Sequence, residues 1–396
     1  MKDLKTVVSE YHRVDLSKLK AALATVVQVR GSSYRSPGAR MVITEDGKWV
    51  GSISGGCLEG DALRKARQVM NSNIPMTVTY DTHEESNQNL GIGLGCNGVI
   101  DVLIEPISAH SDNVIHCFES LIETERPLAL ATIFDGSSSI GDKLLINEEK
   151  EIIYSFKDGA LTNLVINDLL SVFTTQNSEA RKYALHHSSI SVFLELIQPT
   201  LSIIIFGGGF DARPVSHLAK SLGWNVTVTD ECVAHIAPLF FPTADKLSLC
   251  HRQWIDRDFK ITPYTACILM SHNYEYDRDV LKKLIYTETP YIGILGPRKR
   301  FEKMMTDFKA DTLELPSSAL QRIHSPIGLD IGAEAPDEIA VAIIAEIQSK
   351  FSNRSGGFLR YRTGPIHKRD SVSDQVFKQV YLNKTRSEIN PDTSYG

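Results

Sequence analysis

Two short stretches concentrate glycine and sulfur. Residues 51–60 (GSISGGCLEG) and 91–98 (GIGLGCNG) hold eight of the chain's 26 glycines in 18 positions, and each wraps one cysteine, Cys57 or Cys96. Glycine lets backbone approach a ligand closely, so Ser54, Gly55, Gly56 and Gly95 join the two thiols as candidate binding residues. Cys57 also directly precedes LEGDALRKARQVM, which has the 3.6-residue period of a helix. A thiol at a helix N-terminus is favoured as thiolate, which makes Cys57 a candidate nucleophile, sulfur carrier or metal ligand. The commoner role of a single cysteine is a small buried hydrophobe; two such loops together shift the balance toward function. Arg35 and Arg40 stand in GSSYRSPGAR, where a guanidinium fork suits a phosphate or carboxylate, or a plain salt bridge. Glu59 and Asp61 follow Cys57 in the first helical turn, a position that also favours acids through the helix dipole alone.

A third glycine cluster has a different chemistry. SIIIF (202–206) runs into Gly207-Gly208-Gly209-Phe210-Asp211-Ala212, matching G-x-G-x-x-A. Gly207 suits the tight turn, Gly209 the close approach of a pyrophosphate, and Ala212 the packing of helix on strand. The next strand, NVTVT, ends at Asp230, where an acid binds a ribose hydroxyl. Asp211 places a carboxylate in the turn that should greet a pyrophosphate, so a Rossmann fold kept as scaffold is the competing reading. His272, after CILMS, and Arg298, in the basic turn GPRKR after YIGIL, fall at strand ends where open α/β sheets place ligands.

These residues need a frame. Residues 22–29 read as a buried strand, MVIT and WVGSI as a hairpin turned at Asp46-Gly47, and MTVTY and VIDVLIE as further strands. From Pro199 onward, apolar strands at 202–206, 225–229, 267–271 and 291–295 alternate with helical segments at about 212–222, 278–287, 297–308 and 336–350, a rhythm that predicts a parallel sheet covered by helices. The class is α/β: an N-terminal mixed α+β domain over 1–199, then a Rossmann-like doubly wound parallel sheet over 200–350. Residues 351–396 carry eight Lys/Arg against four acids and read as a polar basic tail. Its Val372, Val376, Phe377, Val380 and Tyr381 fall at the spacing of one amphipathic helix. No internal repeat is visible in the residues.

Composition narrows the function classes. The 396-residue chain has 42% hydrophobic and 23% charged residues and a formal charge of −6, a globular profile without the basic footprint of a nucleic-acid binder. No run of about 18 apolar residues spans a membrane. The opening MKDLKTVVSEYHRV lacks the apolar core of a signal peptide, which places the expected location in the cytoplasm. The six cysteines lie far apart with no C-x-x-C pair, which argues against a zinc ribbon or a disulfide framework.

Taken together, GSSYRSPGARMVIT, GSISGGCLEG, GLGCNGVIDVLIEP, IIIFGGGFDARPVSHLAKSLGWNVTVTD, MSHNYEYD, YIGILGPRKR and SPIGLDIGAEAPDEIA resemble, in order, the XdhC/CoxI family of accessory proteins to xanthine dehydrogenase and related molybdenum hydroxylases. The resemblance covers about residues 10–350. It implies a cytoplasmic, often dimeric chaperone that binds molybdenum cofactor, protects it, supports its sulfuration and delivers it to an apo-hydroxylase, with a cysteine desulfurase as a further partner. Carried onto this chain, the cofactor residues are Arg35, Arg40, Ser54, Gly55, Gly56, Cys57, Glu59, Gly95 and Cys96, with Cys57 the candidate contact to molybdenum. A dinucleotide at Gly207, Gly209, Ala212, Asp230, His272 and Arg298 would instead make the chain an NAD(P)-dependent oxidoreductase.

Overall fold

The computed structural model describes residues 2–82, 98–107, 114–136, 139–185 and 188–363. Gly95, Cys96 and the segment 371–381 lie outside them. Internal contacts gather the described chain into two units, residues 3–198 and 199–362.

The first unit runs α1 (Lys2–Tyr11), β1 (Ala21–Gly31), β2 (Arg40–Thr44), β3 (Trp49–Gly51), α2 (Glu59–Ser72), β4 (Met76–Asp81), β5 (Gly98–Ile107), α3 (Val114–Glu123), β6 (Leu128–Asp135), β7 (Lys143–Asn147), β8 (Ile152–Tyr154), α4 (Gly159–Thr175), β9 (Glu179–Leu185) and β10 (Ser188–Ile197). It forms two antiparallel sheets, ordered β3-β2-β1-β5-β4 and β8-β7-β6-β10-β9. The inner faces of the sheets meet. α2 lays Ala62, Ala66, Val69 and Met70 on the outer face of the first sheet, and α4 lays Leu161, Val165, Leu169 and Val172 on that of the second. Burying a side chain the size of Val, Leu or Met in this way contributes roughly 1.5–3 kcal/mol. β1 and β6 are apolar on both faces because each lies between a helix and the opposing sheet. α1 and α3 close one end of the sandwich.

The two sheets have one topology, so the unit is an internal repeat that no residue pattern had shown. Three strands, a helix and two strands occur twice, with each strand paired to the corresponding neighbours. Register makes the equivalence residue by residue. Ala21 pairs with Thr44 and Ile107, as Leu128 pairs with Asn147 and Ile197. One residue bulges out of the central pairing in each repeat, Val27 in β1 and Phe134 in β6. Together with Leu103 and Phe193 these bulged residues form the apolar cluster between the sheets.

The charges follow the same symmetry. Arg40 stands opposite Thr25 and Lys143 opposite Thr132; Glu105 stands opposite Leu23 and Glu195 opposite Leu130. Arg40 Nη1 donates to Glu195 Oε1 at 2.9 Å and Lys143 Nζ to Glu105 Oε1 at 2.6 Å. Each cation also donates to the carbonyl two residues earlier, that of Gly38 or Gly141, at 2.8 Å. All four charged side chains are nearly buried. Each repeat supplies the cation for the other's carboxylate, the reciprocal pattern of an isologous contact.

The second unit runs β11 (Ser202–Phe206), α5 (Ala212–Ser221), β12 (Asn225–Asp230), β13 (Lys246–Leu249), α6 (Ile255–Asp258), β14 (Thr265–Leu269), α7 (Tyr274–Leu284), β15 (Tyr291–Ile294), α8 (Arg298–Ala310), α9 (Ser317–Leu320), β16 (Ile323–His324) and α10 (Pro336–Phe351). Its parallel sheet is ordered β13-β12-β11-β14-β15-β16, the doubly wound arrangement that reverses direction between its first and fourth strands. α5 and α10 cover one face and α7 and α8 the other. The short strands β13 and β16 at its edges add to the four that the residue pattern predicts. Among the described residues no helix is long and apolar enough to cross a membrane.

Candidate functional site

Antiparallel pairing brings the loops of the first repeat to one end of its sheet. Gly31 pairs with Gly98, Val99 with Asp81, and Met41 with Gly51. The loop 32–39, the cysteine loop 52–58 and both anchors of residues 82–97 therefore emerge side by side. The second repeat closes the same strand pairs with less chain. Residues 155–158 link β8 to α4, and residues 186 and 187 link β9 to β10. The glycine- and cysteine-rich insertions are therefore not needed to close this fold.

The loop 52–58 is built around its own acid. Glu59 is buried and accepts from the backbone N–H groups of Ile53, Ser54, Gly55, Gly56 and Leu58 at 2.9–3.2 Å. The Ser52 and Ser54 hydroxyls donate to it as well. Burial pushes this carboxyl up, but the hydrogen bonds from Ser54, Ser52 and the loop backbone outweigh it and hold the pKa at about 2. The loop is an anion nest whose anion is internal. Gly55 and Gly56 take φ of 89° and 122°, values that a side chain would strain. A Cβ on Gly56 would meet nothing within 4 Å, so the outer surface of the turn is open. Cys57 follows, half-buried.

The structure separates the remaining candidates. Arg40 is given to Glu195, as its counterpart Lys143 is to Glu105, which makes it part of the frame. Arg35 is paired with Asp3 of α1. Of the five described cysteines, all free, burial pushes Cys117 and Cys250 up to about 11 and Cys267 to about 12. Cys57 and Cys232 have solvent-exposed surface. Among the described residues no three His, Cys, Asp or Glu side chains group to hold a metal ion.

Two residues absent from the sequence candidates lie at the same sheet end. Tyr34 is 66% exposed, and its Cβ lies 3.8 Å from where a Cβ on Gly55 would stand, a flat surface beside the open turn. Arg30, the last side chain of β1 before Gly31, donates from Nη2 to Asp101 Oδ2 at 2.8 Å, and Thr79 Oγ1 donates to Asp101 Oδ1 at 2.6 Å. An exposed aromatic in a glycine-rich loop was a readable signal for Tyr34; only register places Asp101 beside Arg30.

In the second unit the glycine-rich turn closes on itself. Asp230 is 7% exposed. Its carboxylate accepts from Gly208 N at 2.9 Å and Cys232 N at 2.8 Å, with His235 Nδ1 at 3.1 Å. A Cβ on Gly208 would fall 2.5 Å from the His235 carbonyl oxygen, so the turn Val233–His235 packs directly on the glycine turn. Gly207, at φ 120°, is in close contact with Ser271, and Ala212, the first residue of α5, is fully buried. His272 takes the left-handed conformation (φ 60°) and sets Nε2 3.2 Å from Asp211 Oδ2. Of the basic turn, Arg300 is bound to the buried Asp277 at 2.7 Å, leaving Arg298 and Lys299 exposed.

A duplicated sandwich that carries a thiol loop, followed along the chain by a doubly wound parallel sheet, defines a two-unit α/β protein. The chain belongs to the XdhC/CoxI family: the model of the XdhC and CoxI family matches residues 17–81 and that of the XdhC Rossmann domain residues 203–347. It is 30% identical over 333 residues to a probable xanthine dehydrogenase subunit of Bacillus subtilis, covering 83% of this chain and 92% of the relative. The molybdenum cofactor insertion chaperone PaoD of Escherichia coli is 22% identical, covering 83% of each chain. A crystal structure of a xanthine dehydrogenase from Bacillus halodurans superposes with a TM-score of 0.72 at 28% identity, covering 92% of this chain and 98% of that one.

Proposed function

We propose that this chain binds molybdenum cofactor as an accessory protein of a molybdenum hydroxylase such as xanthine dehydrogenase, protecting the cofactor, supporting its sulfuration and delivering it to the apo-enzyme. The observation that carries this reading is the internal comparison. The first repeat spends its extra chain on a thiol presented by an open glycine turn, where the second repeat makes plain connections. The similarity to PaoD supports the same ligand.

The residues present suit the group. Gly55 and Gly56 admit a close neighbour, Tyr34 offers a face for a flat pterin, and the Cys57 sulfur is a soft donor of the kind molybdenum accepts. When bound, the cofactor supplies a soft, oxygen-sensitive metal centre. Glu59 holds the turn that carries Cys57, whose half-buried side chain packs partly on the core beneath it. Cys96, on the neighbouring connection, is the second thiol of this reading. A cysteine desulfurase as sulfur donor and a homodimer as working form are parts of the same proposal.

Anaerobic titration with molybdenum cofactor tests it, using the full chain beside Cys57→Ala and Cys96→Ala. Saturable binding by the unaltered chain that weakens in at least one variant is expected. Absence of binding by the unaltered chain would overturn the proposal.

A further inference from the structure

The cofactor reading leaves the pterin phosphate without a partner. Both arginines that the sequence put forward are already engaged, Arg40 by Glu195 and Arg35 by Asp3. The backbone N–H groups of the loop 52–58, the obvious alternative anion site, are engaged by Glu59. A third guanidinium at this sheet end is held by a buried acid, whereas the Asp3 beside Arg35 is exposed.

Arg30 is anchored from one side only. Its side chain is 36% exposed, while that of Asp101 is 7% exposed. Both carboxylate oxygens of Asp101 are occupied, one by Arg30 Nη2 and one by Thr79, so the acid fixes the guanidinium without being free to follow it. Nη1 makes no hydrogen bond among the described residues, and Nε is buried without a partner. The residue sits opposite Val99, next to the Gly31–Gly98 pair at which the loops emerge.

The second repeat again serves as a control. The Arg40–Glu195 pair recurs there as Lys143–Glu105, so the fold requires it. By register the counterpart of Asp101 is Ser191 and that of Thr79 is Lys182, so the carboxylate that orients Arg30 has no equivalent. An arginine held by a buried acid, with a nitrogen turned outward, is arranged to form a further charge-assisted bond to an anion.

We propose that Arg30 is the anion-binding residue of this site and takes the phosphate monoester of the bound pterin, with Asp101 as its positioning residue. This rests on the cofactor reading. The test uses the full chain and the fluorescent oxidised pterin of molybdenum cofactor, with its phosphate and after phosphatase treatment. The unaltered protein should bind the phosphorylated pterin about 10- to 100-fold more tightly than the dephosphorylated one, the worth of a charge-assisted hydrogen bond. Arg30→Gln should abolish that preference while leaving the affinity for the dephosphorylated pterin within about twofold, and Asp101→Asn should reduce the preference in part. Arg30→Lys, which keeps a cation and an unbroken strand, should retain part of it and guards against misfolding of Arg30→Gln. A preference unchanged in Arg30→Gln, or both affinities falling together in Arg30→Gln and Arg30→Lys, would overturn the assignment of Arg30 alone. Absence of binding of either pterin or of the intact cofactor by the unaltered protein would overturn the cofactor reading, and this assignment with it.

Discussion

Replacing Glu59 by Gln should loosen the cysteine loop in a way that depends on pH. The folded carboxyl titrates at about 2 instead of 4.5, a displacement equivalent to about 3 kcal/mol of preference for the ionised form. Because the folded pKa lies below the unfolded one, this contribution is complete above about pH 4.5 and is lost as pH falls toward 2. Gln keeps one acceptor oxygen but removes the charge and turns an NH2 group toward two or three of the five N–H donors. Hydrogen–deuterium exchange of the amides of Ile53, Ser54, Gly55, Gly56 and Leu58 reads the effect locally. Their protection in Glu59→Gln should fall about 100-fold at pH 7 and only about tenfold at pH 3. Equal protection in the two proteins at pH 7, or a difference of the same size at pH 7 and pH 3, would refute the internal-anion account of the loop.

Other consequences are as direct. Arg40→Met and Lys143→Met should each destabilise the first unit by about 3–5 kcal/mol in denaturant unfolding, since each strands a buried carboxylate, and pairing Arg40→Met with Glu195→Leu should recover most of the loss. Gly208→Ala should markedly lower the melting temperature of the second unit because its Cβ would meet the His235 carbonyl. Gly60→Ala, whose Cβ meets nothing within 4 Å, should instead stabilise α2 by up to about 1 kcal/mol. Titration with NADH at millimolar concentration should leave its fluorescence unchanged, because Asp230 is engaged by the chain itself; saturable binding lost in Asp230→Asn would refute this.

The Rossmann unit was largely readable because its apolar strands, buried on both faces, alternate with amphipathic helices and glycine turns. The strands β13 and β16 escaped, one a short edge strand with mixed polarity and the other two residues long, as did the four-residue helices α6 and α9. In the first unit the Asp46-Gly47 turn correctly marked the β2–β3 hairpin. The duplication was invisible because equivalence lies in register, while the residues differ: Val27 for Phe134, Leu103 for Phe193, Arg40 for Lys143. The loops, the most noticeable part of the sequence, are where the repeats diverge most. The role of Arg40 could not be read locally, since its partner is 155 positions away. Glu59 stood out as an acid beside a thiol; that its side chain turns back into the preceding serine–glycine run is a matter of folded geometry.

The crossed ion pairs also bear on mechanics. Sliding one sheet over the other by a single residue would part both pairs at once and strand four charges in a dry interface, at a cost of several kcal/mol for each pair. Shear, the low-energy motion of many layered proteins, is therefore closed to this sandwich. The two sheets are thereby locked against sliding and form one stiff block.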